Sequence, residues 1–512
     1  MPSKIFSAAI VGLNAQIIEI ETDASYGLRH FEIVGLPDKA VQEAKERVGA
    51  ALENSGFKSP HHQPVRVLVS LAPADFKKEG SLYDLPIALG YLLADKKLSF
   101  NPENKIFIGE LALDGRLRPV KGVVSLAIAA KENSFSEIIL PKENALEANL
   151  VSTFFKDKMK IKVVGAESLE EVIDYLQKRK EIYPLKINLK KFIKNQKYSI
   201  DLSYIKGQEL SKRALEIAAA GAHNLLMIGP PGTGKSLLAK AISSILPPLS
   251  LKECLEVTKI YSIAGLLSKE NPLICQRQFR APHHTSSETA LIGGGNPPKP
   301  GEITLAHRGV LFLDEFPEFH RDVLESLRQP LEEGKITILR SKYSLTLPAR
   351  FTLVAASNPC PCGYYQDPER ECVCTNSQIQ KYKRKLSGPL MDRFDLFISV
   401  PQLKYDKLVS PEEKSLTFEV RKRVVRARRI QKQRFKEEKT NSEIKIPEIK
   451  KYCQVESPSQ NLLKKFVDSG KLSARGYHRV LKVARTIADL EGSEKILYQH
   501  VSEALMYRLK EI

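Results

Sequence analysis

The sequence predicts an α/β chain: a P-loop core, an α+β domain before it and a helical region after it. Three observations carry this reading. Over residues 1 to about 175 strand-like and helix-like patterns alternate; at 224–228 a short apolar strand, NLLMI, runs straight into a glycine-rich loop and a helical pattern; and beyond about residue 404 the pattern is helical. With 512 residues the chain has room for roughly three domains of ~150 residues each.

In the first region, Val65, Val67, Val69 and Leu71 alternate with Arg66, Leu68 and Ser70 as a mostly buried strand. Val41, Ala44, Val48 and Ala51 recur at helical spacing behind Pro37 and Asp38. The stretch 111–117, LALDGRL, reads as a tight hairpin, because Asp114 and Gly115 suit a primed turn. A strand at 161–164 and a helix opened by a capping box from Ser168 to Glu171 close a domain at 1–177. The lysine-rich stretch 178–200 has few apolar anchors and is expected to be a linker. The core follows at 201–403, with a helix at 236–246 stopped by Pro247 and Pro248. The helical domain occupies 404–512 and starts at a good helix entry, Ser410, Pro411 and Glu413.

No apolar stretch approaches the ~20 residues that cross a bilayer, so a membrane-spanning protein is excluded. Asn14, Gln16 and Glu19 interrupt the early apolar run, no cleavage site follows, and a cytoplasmic protein is expected. Lys plus Arg exceed Asp plus Glu by 79 to 60, a formal charge of +19 that favours a polyanionic partner through counterion release. Four of the seven cysteines sit between 360 and 374, which argues against a scattered disulfide framework.

The segment 229–236, GPPGTGKS, carries the chemistry. In Gly229, Pro230, Pro231, Gly232, Thr233, Gly234, Lys235 and Ser236, the glycines let backbone N–H groups turn onto phosphates, Lys235 reaches the β and γ oxygens, and Ser236 can ligate Mg²⁺. Downstream, 309–316, GVLFLDEF, is an apolar strand ending in two carboxylates. Such a pair can be a mere helix cap, but after a P-loop Asp314 is expected to hold Mg²⁺ and Glu315 to polarise the attacking water. A third strand, FTLVAAS at 351–357, ends at Asn358, placed to orient that water or sense the γ-phosphate. In 390–396, LMDRFDL, Arg393 either pairs with Asp392 or Asp395 or reaches a neighbour's site as an arginine finger, which requires a ring. Among the C-terminal helices, LSARGYHR at 472–479 offers Arg475 as a nucleotide sensor and Arg479 as a weaker candidate.

Four cysteines, Cys360, Cys362, Cys372 and Cys374, could hold one tetrahedral Zn²⁺ or stand as free thiols or redox pairs; their spacing is Cys-x-Cys instead of the commoner Cys-x-x-Cys. His283 and His284 are more simply read as shaping the local insert than as further ligands. The stretch 335–350, KITILRSKYSLTLPAR, reads as two strands around a tip with Arg340, Lys342 and Tyr343, either a plain exposed hairpin or one that meets nucleic acid. The run 420–435, VRKRVVRARRIQKQRF, is a basic helix whose charges either face solvent or touch DNA.

The phrases FRAPHHTSSETALIGGGNPPKPGEITLAHRGVLFLDEFPEF, NPCPCGYY and LSGPLMDRFDL resemble the Mg chelatase-like branch of the AAA+ superfamily and, within it, the YifB/ComM family, over essentially the whole chain. The resemblance implies an AAA+ ATPase using ATP and Mg²⁺, a homo-hexameric ring with a helix-2 insert and a pre-sensor-1 hairpin, Asn358 as sensor 1, and a DNA helicase driving branch migration in natural transformation. The N-terminal domain is similar to the Lon protease domain, of ribosomal-S5-like fold, at KEGSLYDLPI (78–87) and GELALDGRLRPVKGVV (109–124). The catalytic pair of that family is missing: the serine position falls near Leu82 or Tyr83, the lysine position at Val124, and Ser81 is one or two places off without a base. A non-proteolytic domain that docks DNA or scaffolds a ring is therefore expected. The rival readings are a motor subunit of a metal chelatase and, less favoured, an ATP-dependent protease.

Overall fold

The computed structural model describes residues 2–154, 161–185, 200–268, 270–295, 298–340, 343–385, 390–403, 405 and 416–508. Two compact units emerge: Met1–Asn195 with Ser250–Cys275 and Asn296–Lys299, and Gln196–Leu249 with Gln276–Gly295 and Pro300–Ile512.

The first unit is built on a seven-stranded mixed sheet, in the order His30–Val34, Val65–Ala72, Asn14–Tyr26, Ser3–Val11, Lys105–Phe107, Glu137–Pro141 and Lys162–Ala166. Strand Val65–Ala72 follows its alternation, with Val67, Val69 and Leu71 fully buried and Arg66 exposed. The last three strands pair in parallel, which requires helical crossovers, supplied by Val123–Glu132 and Ala145–Phe154. Asp38 caps helix Lys39–Gln42 by accepting from the Val41 N–H at 2.8 Å. Ser168 caps Leu169–Leu176, accepting from Glu171 N–H at 3.2 Å, but the Glu171 carboxylate answers to the Glu167 N–H instead of that of Ser168, so the capping box is only half formed. The hairpin at Asp114 forms between Glu110–Leu111 and Leu117–Arg118, with Gly115 in the left-handed region at φ +81°.

Helix Leu251–Ala264 belongs to this first unit, although its sequence follows the P-loop helix. Leu255 packs on the first unit's core, the Gly122 N–H donates to the Ser262 carbonyl at 3.1 Å, and the Ser262 hydroxyl donates to the buried carboxylate of Glu147. Burial pushes the Glu147 carboxyl up, while donors from Ser262, Asn144 and Val124 work the other way.

The second unit holds a five-stranded sheet, in the order Phe279–Arg280, Val310–Leu313, Thr352–Ser357, Leu225–Ile228 and Leu396–Ser399. Every neighbouring pair is parallel, and the three central strands are mostly apolar and buried at every position but Ile228, as strands covered on both faces must be. The helices Leu416–Phe435, Ala474–Glu491 and Tyr498–Met506 share this unit's core through Val420, Val424, Val480, Ile487 and Val501. Several basic residues of Leu416–Phe435 turn out to be structural. Arg423 pairs with Glu216 at 2.6 Å, Arg426 donates to the Leu490 carbonyl at 2.6 Å, Arg428 to that of Ala219 at 2.9 Å, and Arg434 grips the buried Asp489.

Strands Lys335–Arg340 and Tyr343–Pro348 form the expected antiparallel hairpin, with Arg340 opposite Tyr343. Lys342, the side chains of Arg340 and Tyr343, most of the lysine-rich stretch before 200, and the helix entry at Ser410 lie outside the described residues. Among the described residues, no helix is long and apolar enough to cross a membrane.

Candidate active site

In an all-parallel sheet the carboxyl ends of the strands share one edge, where loops can converge on a ligand. The P-loop strand Leu225–Ile228 lies between Thr352–Ser357 and Leu396–Ser399, and Thr352–Ser357 separates it from the acidic strand Val310–Leu313. Gly229 follows the P-loop strand so close to its neighbour that an added Cβ would lie 2.2 Å from the Val400 carbonyl oxygen. Gly232 and Gly234 take φ of +78° and +85°, and Gly234 opens helix Lys235–Ile245. Both are conformations that L side chains rarely adopt, which turns the loop's N–H groups inward.

The Lys235 ammonium donates to the carbonyls of Gly229 at 2.7 Å and Pro230 at 2.8 Å and to the Asn358 side-chain oxygen at 3.2 Å. Burial lowers its pKa to about 8, against the pull of Asp314. The Thr233 hydroxyl closes the loop on the Pro230 carbonyl at 2.9 Å. Ser236 donates to Asp314 Oδ2 at 2.6 Å, so the two expected Mg²⁺ ligands already meet. Asp314 Oδ1 accepts from the Glu315 N–H at 3.0 Å. Glu315 itself adopts φ +49°, and its side chain makes no hydrogen bond that caps the short 3₁₀ turn Phe316–Glu318. The helix-cap reading of this carboxylate is therefore set aside. Its oxygen meets His284 Nδ1 at 3.0 Å, and His284 in turn stacks on His283 and edges onto Phe319.

Lys235 thus touches Asn358 and its neighbour Ser236 touches Asp314, with Glu315 next along the chain. The other predicted residues lie apart from this contact set. Arg393, in the turn Met391–Arg393, is buried and ion-paired with Glu332, not with Asp392 or Asp395. Arg475 stands on helix Ala474–Glu491, two-thirds exposed, 3.5 Å from Asp392. Arg479 pairs with Asp395; burial opposes that carboxylate's charge, but Arg479, His223 and the Asn224 N–H hold its pKa far below the usual range. Sequence reasoning missed the partners His284, Glu332 and Asp395. A histidine pair a few residues beyond the edge strand Phe279–Arg280 was the available signal for the first.

In the first unit, the Ser81 hydroxyl donates to Glu110, which also meets Arg118 at 3.3 Å. Lys78 is fully buried, its ammonium on the carbonyls of Pro73 and Phe76. Leu82, Tyr83 and Val124 are core residues.

A five-stranded parallel sheet with a P-loop on its inner strand, an acidic pair two strands away and an asparagine on the strand between defines the AAA+ class of P-loop proteins. The magnesium chelatase subunit ChlI family matches residues 201–408, the family "subunit ChlI of Mg-chelatase" matches 20–144, and the ChlI C-terminal family matches 414–508. The chain is similar to competence protein ComM of Haemophilus influenzae, 44% identical over 513 residues that cover 98% of this chain and 97% of ComM. YifB of Escherichia coli is 42% identical over 510 residues, covering 99% and 97%. The magnesium-chelatase 38 kDa subunit of Rhodobacter capsulatus is 26% identical over 340 residues, covering 60% and 87%. The chain belongs to the YifB/ComM family of Mg chelatase-like AAA+ proteins.

Proposed function

We propose that this protein is an ATP-driven DNA translocase working as a homo-hexameric ring and remodelling branched DNA, as in recombination and natural transformation. The contact set Lys235–Asn358 and Ser236–Asp314, with Glu315 alongside, carries the proposal, because it holds the parts a phosphoryl-transfer site needs. On binding ATP, Lys235 exchanges two loop carbonyls for phosphate oxygens. Ser236 and Asp314 are the residues that would hold Mg²⁺, which neutralises phosphate charge. Glu315 polarises the attacking water and Asn358 orients it. Arg393 becomes a finger toward a neighbouring subunit only if it leaves Glu332, and Arg475, exposed on its helix, is the sensor of the helical domain.

The choice of DNA rests on the charge of +19, the hairpin at 335–348 and the similarity to a competence protein. The first unit, with Ser81 facing a carboxylate in place of an amine, acts as scaffold or DNA dock, not as a protease. The matches to ChlI favour a second reading, a motor subunit of a metal chelatase.

One assay separates the two: ATP hydrolysis with single-stranded, duplex and four-way-junction DNA. Stimulation by DNA is expected, strongest with the junction. If the purified protein neither binds DNA nor hydrolyses ATP faster in its presence at moderate salt, the translocase reading is lost and the chelatase reading stands. Mixing Arg393→Ala subunits with the natural chain is expected to depress activity more than dilution does; a proportional loss would exclude a finger acting between subunits.

A further inference from the structure

Between strand Thr352–Ser357 and helix Asn376–Lys385 the chain runs without a regular element. From 361 to 375 only Gly363 is buried, and Val373 is 84% exposed. A loop of this length with no core of its own needs another source of order. It has one. Cys360 Sγ lies 3.3 Å from Cys362 Sγ and 3.7 Å from Cys372 Sγ, and Cys362 Sγ lies 3.5 Å from Cys372 Sγ. The fourth thiol, Cys374, accepts the Cys362 N–H at 3.4 Å, and all four sulfurs lie within 4.8 Å of one another.

Two quantities sort the chemistry. A disulfide needs its sulfurs at ~2.05 Å, and every measured separation here is far longer. A tetrahedral Zn²⁺ with Zn–S of ~2.3 Å places its sulfurs ~3.8 Å apart, close to the spacing found. The backbone suits thiolates as well. The Cys362 N–H points at Cys374 Sγ, the kind of donor that steadies a metal-bound sulfur.

We infer that Cys360, Cys362, Cys372 and Cys374 bind one Zn²⁺, and that this metal clamps the loop behind Asn358 onto the phosphate-binding loop. The second half follows from one close approach. Gly363, at φ +89°, lies so near Pro231 that an added Cβ would be 2.5 Å from its ring. Asn358 sits two residues before Cys360 and touches Lys235. The four thiols lose their protons to bind the ion, and the loop that carries them joins the sensor asparagine to the P-loop. This consequence rests on the nucleotide-site reading; the metal site does not.

The test uses the full chain, purified under reducing conditions without chelator. Metal analysis is expected to give about one zinc per chain, and Co²⁺ exchanged into the site should show thiolate charge-transfer and tetrahedral d–d absorption. Cys374→Ser, at a half-buried position, should lose the zinc, whereas Cys453→Ser, a buried cysteine elsewhere, should keep it. Natural protein without zinc, its four thiols free or joined as disulfides, overturns the site. Stripping the metal should weaken binding of a fluorescent ATP analogue by about tenfold or more. Unchanged affinity overturns the clamp. Glu315→Gln should retain its zinc and lose hydrolysis; were it to keep both, the nucleotide-site reading would fall while the metal site stood.

Discussion

Both compact units gather ionisable side chains in and around a partly or wholly parallel sheet, and they dispose of them in opposite ways. In the first unit the buried groups are matched within the fold: Arg47 with the fully buried Asp84 at 2.7 Å, Ser81 with Glu110, Lys78 with backbone carbonyls, Glu147 with Ser262 and Asn144. In the second unit Lys235, Ser236, Asp314 and Asn358 meet at the carboxyl ends of three strands, with the Glu315 side chain still 55% exposed beside them. The difference is between closed pairs, which serve the fold, and an open convergence, which leaves room for a ligand. Polar residues are found in both units; what marks a reaction site is that their partners can be exchanged.

The sharpest way to break the contrast is to remove one member from each side. Lys235→Ala and Glu315→Gln are expected to lower ATP turnover by about a thousandfold or more, measured by phosphate release. Retained turnover in both would mean that the convergence is another closed pair. Next in size, Arg47→Ala should cost about 3–5 kcal/mol in denaturant unfolding, since it strands a buried carboxylate. Arg479→Ala should do the same through Asp395 in the second unit.

The two aspartates also predict opposite responses to acid. Burial, partly offset by Arg47, raises Asp84 to about 6. Its native form therefore holds a proton that its unfolded form has lost, and this group's contribution to stability falls as pH rises from about 4 to about 6. Asp395 is depressed, so its contribution is present at neutral pH and is lost as pH falls below the ordinary aspartate range. Unfolding followed against pH for Asp84→Asn and Asp395→Asn would show it, each variant removing its own slope. Smaller again, ATP affinity should drop by up to about tenfold per pH unit above 8, because Lys235 is lowered to about 8 in the free protein and phosphate restores its proton. Binding of a fluorescent analogue between pH 7 and 10 reads this directly; a flat profile would place the lysine outside the phosphate contacts. Least of all, Ser81→Ala should leave ATP turnover within about twofold and create no loss of proteolysis, as expected for a site away from a reaction.

Much of the second unit was legible in the chain. The P-loop, the acidic pair, Asn358 and the cysteine cluster are local patterns, because backbone approach, strand ends and ligand spacing are fixed over a few residues. The hairpin at Asp114 and the strand at Val65 were legible for the same reason. What escaped were contacts between residues far apart in sequence. Nothing in VRKRVVRARRIQKQRF shows that Arg423 will meet Glu216, or Arg428 the carbonyl of Ala219, so a run whose charges could face solvent or touch DNA spends several of them on contacts within the fold. Arg393 sat beside two aspartates in sequence, yet its partner is Glu332, since a helical turn points neighbouring side chains apart. His284 against Glu315 was hidden likewise, because sheet order, not spacing, brings those segments together.

Helix Leu251–Ala264 has one more consequence. The polypeptide leaves the second unit after the P-loop helix, lends this helix to the first, and returns at Gln276. A fragment ending near residue 195 would lack the hydroxyl that satisfies Glu147 and the Leu255 that covers its core, while a fragment beginning there would carry an amphipathic helix with no home. The two units are interleaved in sequence, so a cut of the chain near residue 195 parts Glu147 from the hydroxyl that serves it.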